Sequence, residues 1–377
     1  MFFFFFFFYN PSTCSPASWL KCRQDQKLSK SLQEATETAC FLAFSSSEES
    51  PASAVNQTRI WMSVDCDLEF SLAEEQDFQQ VLKLCTSEDY NGLDYMSAFY
   101  HRWLQEPGRV VFIARMKSRV VGLESALLVD GGQSVVFQGR RVAPDLRGSG
   151  IAGALQRHVS DYVRRHHPEV CVARLSRGDQ PSPQTLAKYR LVAKEAILSL
   201  CCEAANLGPF IAELQSRLHQ TSSQGPVTLS QQQAETLILS DHVVSNLLPG
   251  KTIINDWEPL KPVEANLEVL RRRGLTYITD QESEPSALSL CTPPYAVPYR
   301  HDALRININI FGRRLAPVCA VFLAQLRALL PSVRGYLVCH SYLDPAVWSG
   351  LQQFCQNKSN VSLFKDYWEE VILETDL

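Results

Sequence analysis

A glycine-rich turn with the sequence Arg-Gly-Ser-Gly-Ile-Ala, residues 147–152, lies between a segment typical of a strand and one typical of a helix. The first amides of a helix have no partner within the helix, and the helix dipole adds partial positive charge there, so this position favours anions. Gly148 and Gly150 let an anion approach the backbone closely, and Arg147 adds a fixed positive charge. The turn is therefore predicted to hold a pyrophosphate on its main-chain amides.

A second residue that could do chemistry is Glu124, which lies inside residues 120–129, an apolar segment typical of a buried strand. An ionisable side chain is costly in such surroundings unless it has a partner or serves a site. Glu124 is therefore a candidate general base. The other interpretation, a structural carboxylate hydrogen-bonded to a neighbouring loop, stays open.

The segments around these residues alternate between strand and helix patterns from Met62 to about Leu200. After the turn, Ile151, Leu155, Val159 and Tyr162 recur at helical spacing on one face. The predicted elements are strands over 67–71, 109–114, 119–129, 134–142 and 170–175, and helices over 74–86, from 151 to before 168, and 183–189. This order predicts an α/β (α+β) fold with a mixed central sheet flanked by helices.

The composition is that of a globular chain of 377 residues, 45% hydrophobic and 20% charged, long enough for two domains. A formal net charge of −4 argues against a nucleic-acid-binding protein. The 12 cysteines are scattered without a C-x-x-C pair, which indicates free thiols in a reducing, cytoplasmic compartment and no metal site. No apolar stretch approaches the roughly 20 residues that span a bilayer, so we expect no membrane partner.

Residues 1–61 differ in composition from the rest of the chain. Residues 2–8 are all phenylalanine, without the positively charged region of a signal peptide, and a mixture rich in Ser, Thr, Pro and Gln follows. We expect this leader to be disordered. Because Met62 precedes the first convincing strand, a leader that is an artefact of the gene model is one explanation, and a membrane-dipping aromatic tail is another.

A polar segment over residues 221–227 is a predicted linker between a first domain, residues 62–220, and a second domain, residues 228–377. The second domain is predicted to contain strands over 252–256, 276–279, 304–311, 335–339 and 361–364, and helices over 263–273, 315–330 and 345–355. The strand, turn and helix over 304–330 repeat the arrangement around the glycine turn but offer only Gly312. Trp257, Tyr295 and Tyr299 could reach the site, although isolated aromatic residues more commonly form core.

Residues 147–152 match the pattern R-x-x-G-x-G/A, and with the strand before and the helix after they resemble the GNAT superfamily of acetyl-CoA-dependent N-acetyltransferases. Further runs resemble the vertebrate histidine N-acetyltransferase group: residues 92–95, 122–125, 141–144, 188–191, 248–254 and 256–257. The resemblance covers nearly everything after Met62. It implies a GNAT fold, a second GNAT-like domain without the glycine-rich loop, and transfer of an acetyl group from acetyl-CoA to the α-amino group of L-histidine.

The resemblance also implies roles for single residues. The implied cofactor-binding residues are Val142, Arg147, Gly148, Ser149, Gly150, Ile151 and Ala152. Tyr189 is implied to protonate the departing CoA thiolate, with a core tyrosine as the alternative. Glu124 is our candidate to accept the amine proton through water, because an α-amino group of pKa about 7.7 to 8.0 needs only modest help. Tyr95, Gln138 and Asp179 are expected near the acceptor, a small-molecule amine.

Two positions depart from the pattern of the histidine enzymes. Gln138 replaces an acidic residue before Gly139, and Gly178 and Asp179 replace two acidic residues after the strand over 170–175. A glutamine neither accepts a proton nor pairs with an ammonium group as a carboxylate does. Two other functions therefore stay open: a catalytically silent acyl-CoA-binding pseudoenzyme, which Gln138 favours, and a protein or peptide N-acetyltransferase, which requires an open acidic groove.

Overall fold

The computed structural model describes residues 68–218, 225–301 and 303–377. By its contacts the chain divides into two units, Met1–Trp61 and Met62–Leu377, and the described residues belong to the second. The expectations for the leader, residues 1–61, and for residues 221–224 of the linker lie outside the described residues. Within the described ranges no helix is long and apolar enough to cross a membrane. The eight cysteines in these ranges are free thiols.

The described residues form strands, α-helices and short 3-10 helices. The strands are β1 (Leu68–Leu72), β2 (Arg109–Met116), β3 (Arg119–Val129), β4 (Ser134–Val142), β5 (Val172–Arg177), β6 (Arg190–Glu203), β7 (Val227–Thr228), β8 (Ile253–Asn255), β9 (Glu258–Leu260), β10 (Thr276–Thr279), β11 (Leu288–Cys291), β12 (Tyr295–Val297), β13 (Ala303–Phe311), β14 (Tyr336–Leu343) and β15 (Ser362–Asp376). The α-helices are α1 (Phe78–Val81), α2 (Met96–Gln105), α3 (Ile151–His166), α4 (Pro183–Leu186), α5 (Ala204–Leu218), α6 (Gln231–Ile238), α7 (Asp241–Asn246), α8 (Leu267–Arg273), α9 (Leu315–Leu329) and α10 (Pro345–Phe354). The 3-10 helices are Glu75–Asp77, Leu82–Leu84, Asp89–Gly92, Asp130–Gly132, Pro144–Leu146, Pro249–Lys251 and Glu264–Asn266.

Thirteen of the described strands form one mixed sheet. Its order is β1-β2-β3-β4-β5-β15-β6-β14-β13-β11-β10-β7, with β12 paired to β13, while β8 and β9 form a separate hairpin. Most neighbours are antiparallel, but β4 with β5 and β13 with β14 are parallel. Strand β15 lies between β5 and β6, so a segment of the predicted second domain completes the sheet of the predicted first domain. The two halves therefore share one continuous sheet.

Strands β4 and β5 separate towards their carboxyl ends. Their parallel pairing covers only Ser134–Phe137 against Val172–Leu175, although β4 continues to Val142 and β5 to Arg177. Beyond these pairs the facing backbone groups of the two strands do not bond to each other, so a gap opens in the middle of the sheet.

A β-bulge in β4 lies beside this gap. In the pairing of β3 with β4, both Gly139 and Arg140 stand opposite the single residue Glu124. Gly139 has φ +75°, and a Cβ at this position would lie 2.7 Å from the ring of Trp103. A bulge bends its strand and increases the local twist. This bulge therefore turns β4 away from β5 and brings Glu124 beside the gap.

Helices cover the sheet and bury its apolar side chains. The helix α3 packs on β2 and β3 through the buried Ile151, Leu155, Val159 and Val163. The predicted helical face is thus confirmed for three of its four residues, whereas Tyr162 is only half-buried. A second core lies under α5, α9 and α10. The glycine turn is therefore fixed to the sheet by the helix that follows it.

Most of the predicted elements form, but the bounds of several differ. The strand predicted over 335–339 runs to Leu343, and the helix predicted over 263–273 begins with a 3-10 helix. The helix predicted over 74–86 is broken into two 3-10 turns around α1. The helix predicted over 183–189 ends at Leu186, so Tyr189 lies in the turn that follows. The strand predicted over 361–364 is wrong in length, because β15 runs to Asp376. Three register shifts against β6 interrupt the alternation of its side chains, and this hides the strand pattern in the sequence.

Candidate active site

The glycine turn has the backbone geometry that its sequence predicts. Gly148 and Gly150 adopt φ +80° and +94°, in the left-handed region that favours glycine. The helix α3 begins at Ile151, directly after Gly150. A Cβ at either glycine would meet no atom within 4 Å, so the main chain at both positions faces open space. The turn thus offers exposed backbone and the N-terminal amides of a helix, an arrangement suited to a phosphate.

Arg147 holds the turn against the preceding segments. Its guanidinium donates to Asp89 Oδ2 at 2.7 Å and to the carbonyl of Val142 at 3.1 Å. The hydrogen bonds from Arg147 lower the pKa of the Asp89 carboxyl to about 2. Because the charge of Arg147 already has a partner, the amides of the turn are left as the main anion-binding groups. A contact between Arg147 and a pyrophosphate stays a prediction.

A cavity of about 760 Å³ opens at the gap between β4 and β5. The predicted site residues that line it are Glu124, Tyr189, Tyr95, Gln138 and Asp179. The structure therefore brings together all five residues predicted to serve catalysis and the acceptor. The glycine turn does not line this cavity, but Gln156 on α3 does, and Arg140 donates to Gln156 Oε1 at 2.6 Å.

Glu124 is buried in the wall of this cavity, with 2% of its surface exposed. Its Oε1 lies 3.8 Å from Nη1 of Arg140, and its Oε2 has no hydrogen-bond partner among the described residues. Burial raises the pKa of Glu124 to about 7, and the positive charge of Arg140 offsets this only in part. The described residues thus lack the hydrogen-bonded loop that a purely structural carboxylate requires. A carboxyl group with this pKa and a free oxygen is suited to accepting a proton.

Tyr189 lies half-buried in the turn between α4 and β6 and lines the same cavity. Its amide donates to the carbonyl of Thr185 at 3.0 Å, which fixes the turn to α4. Arg177 on β5 interacts electrostatically with Tyr189. Tyr189 therefore reaches the cavity from the β5 side of the gap, whereas Glu124 lies on the β4 side.

Gln138 and Asp179 already have polar partners. Gln138 Oε1 accepts a hydrogen bond from Arg109 Nη1 at 3.0 Å. Asp179 Oδ1 accepts one from Arg177 Nε at 2.9 Å, and this pairing lowers the pKa of Asp179. Their role with the acceptor stays a prediction, and Gln138 serves the packing of the site as an acceptor for Arg109.

Tyr95 forms part of the cavity wall. Its ring centroid lies 4.6 Å from the guanidinium carbon of Arg141, which in turn pairs with Asp94 at 2.5 Å. Burial raises the pKa of Tyr95. The phenol is therefore neutral at physiological pH and can act at the site as a hydrogen-bonding or packing group.

Gly178 explains one departure from the expected pattern. A Cβ at this position would lie 3.1 Å from the indole of Trp257 and 3.2 Å from that of Trp368, and both indoles line the cavity. An acidic side chain here would displace at least one of them. The glycine therefore accommodates the aromatic wall of this particular chain.

The second half of the chain supplies cavity residues that sequence reasoning missed. Arg305, His340, Lys365 and Trp368 line the cavity, and so does Trp257, for which core packing is the commoner role. A charged side chain in an apolar strand is the signal that singles out Glu124, and Arg305 shows the same signal within residues 304–311. The sequence holds no comparable local signal for His340 or Trp368.

The turn between β8 and β9 carries Trp257 into the cavity. Asp256 and Trp257 have φ +49° and +69°, a conformation that non-glycine residues rarely adopt. These two residues form the two-residue loop of the β8–β9 hairpin, and the type I′ turn that such loops favour requires positive φ at both positions. A buried ion-pair network fixes the base of this hairpin: Glu258 accepts from Arg109 at 2.5 Å and from Arg273 at 2.6 Å.

The chain is similar over most of its length to named N-acetyltransferases. The histidine N-acetyltransferase of Scomber australasicus is 37% identical over 317 residues, which cover 82% of this chain and 94% of that protein. The chain belongs to the histidine N-acetyltransferase family. Another member of this set of relatives, the human protein named Probable N-acetyltransferase 16, is 39% identical over 82% of this chain and 86% of its own length. The resemblance found in the sequence is therefore confirmed.

The family model described as Histidine N-acetyltransferase, C-terminal, matches residues 222–344. This segment contains the hairpin tip at 256–257 together with Arg305 and His340, so part of the cavity belongs to the region that characterises the histidine N-acetyltransferase family. The fold has the expected mixed sheet flanked by helices. Among solved structures, a tandem GNAT protein from the clavulanic acid biosynthesis pathway aligns with a TM-score of 0.46 at 15% identity, over 82% of this chain and 98% of that chain.

Proposed function

We propose that this chain transfers the acetyl group of acetyl-CoA to the α-amino group of L-histidine, giving N-acetyl-L-histidine and CoA. The observation that carries the proposal is the buried Glu124 carboxyl in the cavity wall, with a pKa of about 7 and one oxygen without a partner among the described residues. The acceptor is supported by relatives from three species, 34% to 37% identical, that are named histidine N-acetyltransferase.

The glycine turn supports acetyl-CoA as the co-substrate. Gly148 and Gly150 are exposed and face open space, and the amides of Ile151 and Ala152 lie at the start of α3. We assign the diphosphate to these amides, because a helix N-terminus stabilises negative charge. When bound, acetyl-CoA supplies an acetyl group activated as a thioester. The unpaired edge of β4 from Gln138 to Val142 can hydrogen-bond an extended arm that carries amides, as an added strand would.

We assign to Glu124 the removal of a proton from the acceptor nitrogen. With a pKa of about 7, a substantial share of the carboxyl is ionised at neutral pH and is still basic enough to accept a proton. A chain-terminal α-amino group has a pKa of about 7.7 to 8.0, and that of a free amino acid lies higher because its carboxylate is ionised. The acceptor therefore attacks from its neutral amine form and gives up one proton, through one water, as the amide forms. Burial, which raises this pKa, is therefore the property of the site that supports catalysis at neutral pH.

We assign to Tyr189 the donation of a proton to the CoA sulfur as the acetyl group leaves it. Tyr189 and Glu124 line the cavity from the β5 side and the β4 side of the gap. One group can therefore serve the sulfur while the other serves the nitrogen. The neutral amine loses one proton to Glu124 and the departing sulfur gains one from Tyr189. Return of the proton from Glu124 to Tyr189 through solvent restores both groups, so the transfer is balanced in protons.

We also propose that residues 62–220 form the acetyltransferase domain, with residues 221–227 as linker, and that residues 228–377 form a GNAT-like domain that shapes the acceptor side. The turn before α9 supports this difference. A Cβ at Gly312 would lie 2.8 Å from the carbonyl of Ser286, so the main chain there is packed, whereas it is open at Gly148. The free thiols of the described cysteines support a cytoplasmic setting.

A thiol-release assay tests the proposed reaction. The purified full chain is incubated with acetyl-CoA and, in separate reactions, each of the twenty common amino acids or a peptide with a free N-terminus, and free CoA is measured. We expect L-histidine to give the highest rate. No rate above buffer with any amino acid, while acetyl-CoA still binds, would identify a silent acyl-CoA-binding protein, and preferred acetylation of peptide N-termini would identify a peptide acetyltransferase. Either result would refute the proposal.

A further inference from the structure

Arg305 differs from the other buried arginines of the described residues in having only neutral hydrogen-bond partners. It lies on β13, 5% exposed, and lines the cavity. Each of the other buried arginines has a carboxylate oxygen between 2.5 and 2.7 Å away; the pairs are Arg109–Glu258, Arg141–Asp94, Arg174–Asp130 and Arg273–Glu258. No carboxylate of a described residue lies within 4.0 Å of Arg305. A buried charge without an adjacent opposite charge is costly. The carboxyls of Asp256 and Glu370 act on this guanidinium only from beyond 4.0 Å.

The neutral partners of Arg305 leave part of its guanidinium unused. Its Nε donates to Asn307 Oδ1 at 3.1 Å, its Nη1 to the carbonyl of Leu93 at 3.4 Å and its Nη2 to the hydroxyl of Tyr342 at 3.2 Å. An arginine has five N–H donors, so two of them have no acceptor among the described residues. Asp256 acts on Arg305 electrostatically from a longer distance, but Asp256 Oδ1 accepts its hydrogen bond from Asn307 at 2.6 Å.

His340 gives a second, independent indication that this part of the cavity receives a polar ligand. It is 3% exposed and lines the cavity, and neither of its ring nitrogens has a hydrogen-bond partner among the described residues. Its ring centroid lies 5.6 Å from that of Trp368. Buried polar atoms of native proteins rarely stay without partners. A ligand that fills this part of the cavity can supply them.

We propose that Arg305 binds the α-carboxylate of the acceptor and thereby selects free α-amino acids over simple amines and peptide N-termini; this inference rests on the proposed function. A guanidinium binds a carboxylate through two parallel N–H···O bonds, and two is the number of donors that Arg305 has left. The amine of an amino acid is attached to the same carbon as the carboxylate. Holding the carboxylate therefore fixes the amine in the cavity whose wall contains Glu124.

The first test compares L-histidine with L-histidinamide on the unchanged full chain at saturating acetyl-CoA. We expect kcat/KM for the amide to be about 100-fold lower, the effect of losing a charged hydrogen-bonded pair. Converting the carboxylate to an amide makes the α-amine less basic, so a slower reaction does not come from protonation. Equal values for the two substrates would overturn the inference and leave the proposed function standing. No reaction with either substrate would refute the proposed function as well.

The second test compares Arg305→Gln with Arg334→Gln, a control at an exposed arginine that donates to the carbonyls of Pro331 and Val333. We expect Arg305→Gln to raise the KM for L-histidine about 100-fold, to change the KM for L-histidinamide less than about threefold, and to leave the KM for acetyl-CoA unchanged. Arg305→Lys, which keeps the charge, is expected to recover part of the loss. An equal effect on both acceptors would overturn the inference. If Arg305→Gln does not fold, the comparison of acceptors on the unchanged chain decides.

Discussion

The substitution Glu124→Gln separates two consequences of burying a carboxyl group, one for stability and one for catalysis. Burial raises the pKa of Glu124 from 4.5 to about 7, so the folded state binds this proton more tightly than the unfolded state. Below about pH 4.5 Glu124 is protonated in both states and its burial costs no stability. As the pH rises from about 4.5 through about 7, the unfolded state loses this proton more readily than the folded state, so the free energy of unfolding falls. At 1.36 kcal/mol per pKa unit, the full loss is about 3 kcal/mol. Glutamine has nearly the same shape and no charge, so the variant does not undergo this loss.

Thermal denaturation at several pH values measures this effect. We expect the variant and the original chain to have similar stabilities near pH 4.5, and the variant to be more stable at pH 8.5 by about 3 kcal/mol, or roughly 5 °C in Tm for a domain of this size. All other ionisable groups are common to both chains and largely cancel in the difference. Glu203→Gln is a matched control, because Glu203 is exposed at the end of β6. A Glu124→Gln variant without added stability at pH 8.5 would refute the argument from burial.

Steady-state kinetics on the same proteins measure the catalytic consequence. We expect kcat/KM of the original chain to rise with pH through about 7, as Glu124 loses its proton. Glu124→Gln is expected to lower kcat by about 100-fold or more and to remove this limb of the profile, whereas Glu203→Gln leaves both unchanged. A variant with the original rate and profile would show that Glu124 is not the base.

Three further perturbations test other parts of the site. Tyr189→Phe is expected to lower kcat, measured by steady-state kinetics, by about 100-fold. Its affinity for acetyl-CoA, measured by calorimetry, is expected to change less than about twofold. An unchanged kcat would remove Tyr189 from the mechanism. Gly150→Ala forces a residue with a Cβ to adopt φ +94° and is expected to weaken acetyl-CoA binding about tenfold. Gly208→Ala in α5, where a Cβ meets no atom within 4 Å, serves as the control. Equal acetyl-CoA affinities of Gly150→Ala and the original chain would contradict the role of the turn. A chain that stops before β15 leaves the edges of β5 and β6 without their partner. We expect it to be insoluble or inactive in the thiol-release assay. A soluble and fully active product would contradict the need for the shared sheet.

The part of the fold that the sequence predicts is the part governed by local signals. The turn at Gly148 and Gly150 and the buried face of α3 are defined by residues only a few positions apart, and both form as expected. Strand β15 depends on partners far away in the chain, at β5 and β6, and its bulges break the alternation that marks a strand. Only the first residues of this strand have a local signal in the sequence, whereas its full length and its place between β5 and β6 have none.

The same distinction applies to the candidate site. Glu124 is recognisable because a carboxylate within an apolar strand is costly without a purpose. Arg305 offers the same signal, but it lies far along the chain in a half that lacks an anion-binding turn, so nothing local connects it with Glu124. The residues at 256–257 are unusual turn formers, and only the packed structure shows that their left-handed backbone carries Trp257 into the cavity.

During synthesis, β5 and β6 leave the ribosome long before the strand that fits between them. Glu203 at the end of β6 and Ser362 at the start of β15 are 159 residues apart (362 − 203), which corresponds to roughly 8 to 30 s of translation at about 5 to 20 residues per second. For that time two nascent edges carry unpaired N–H and C=O groups that invite aggregation. We therefore expect the nascent polypeptide to be prone to aggregation until β15 emerges. The cavity is completed only then, because Lys365 and Trp368 of β15 line it.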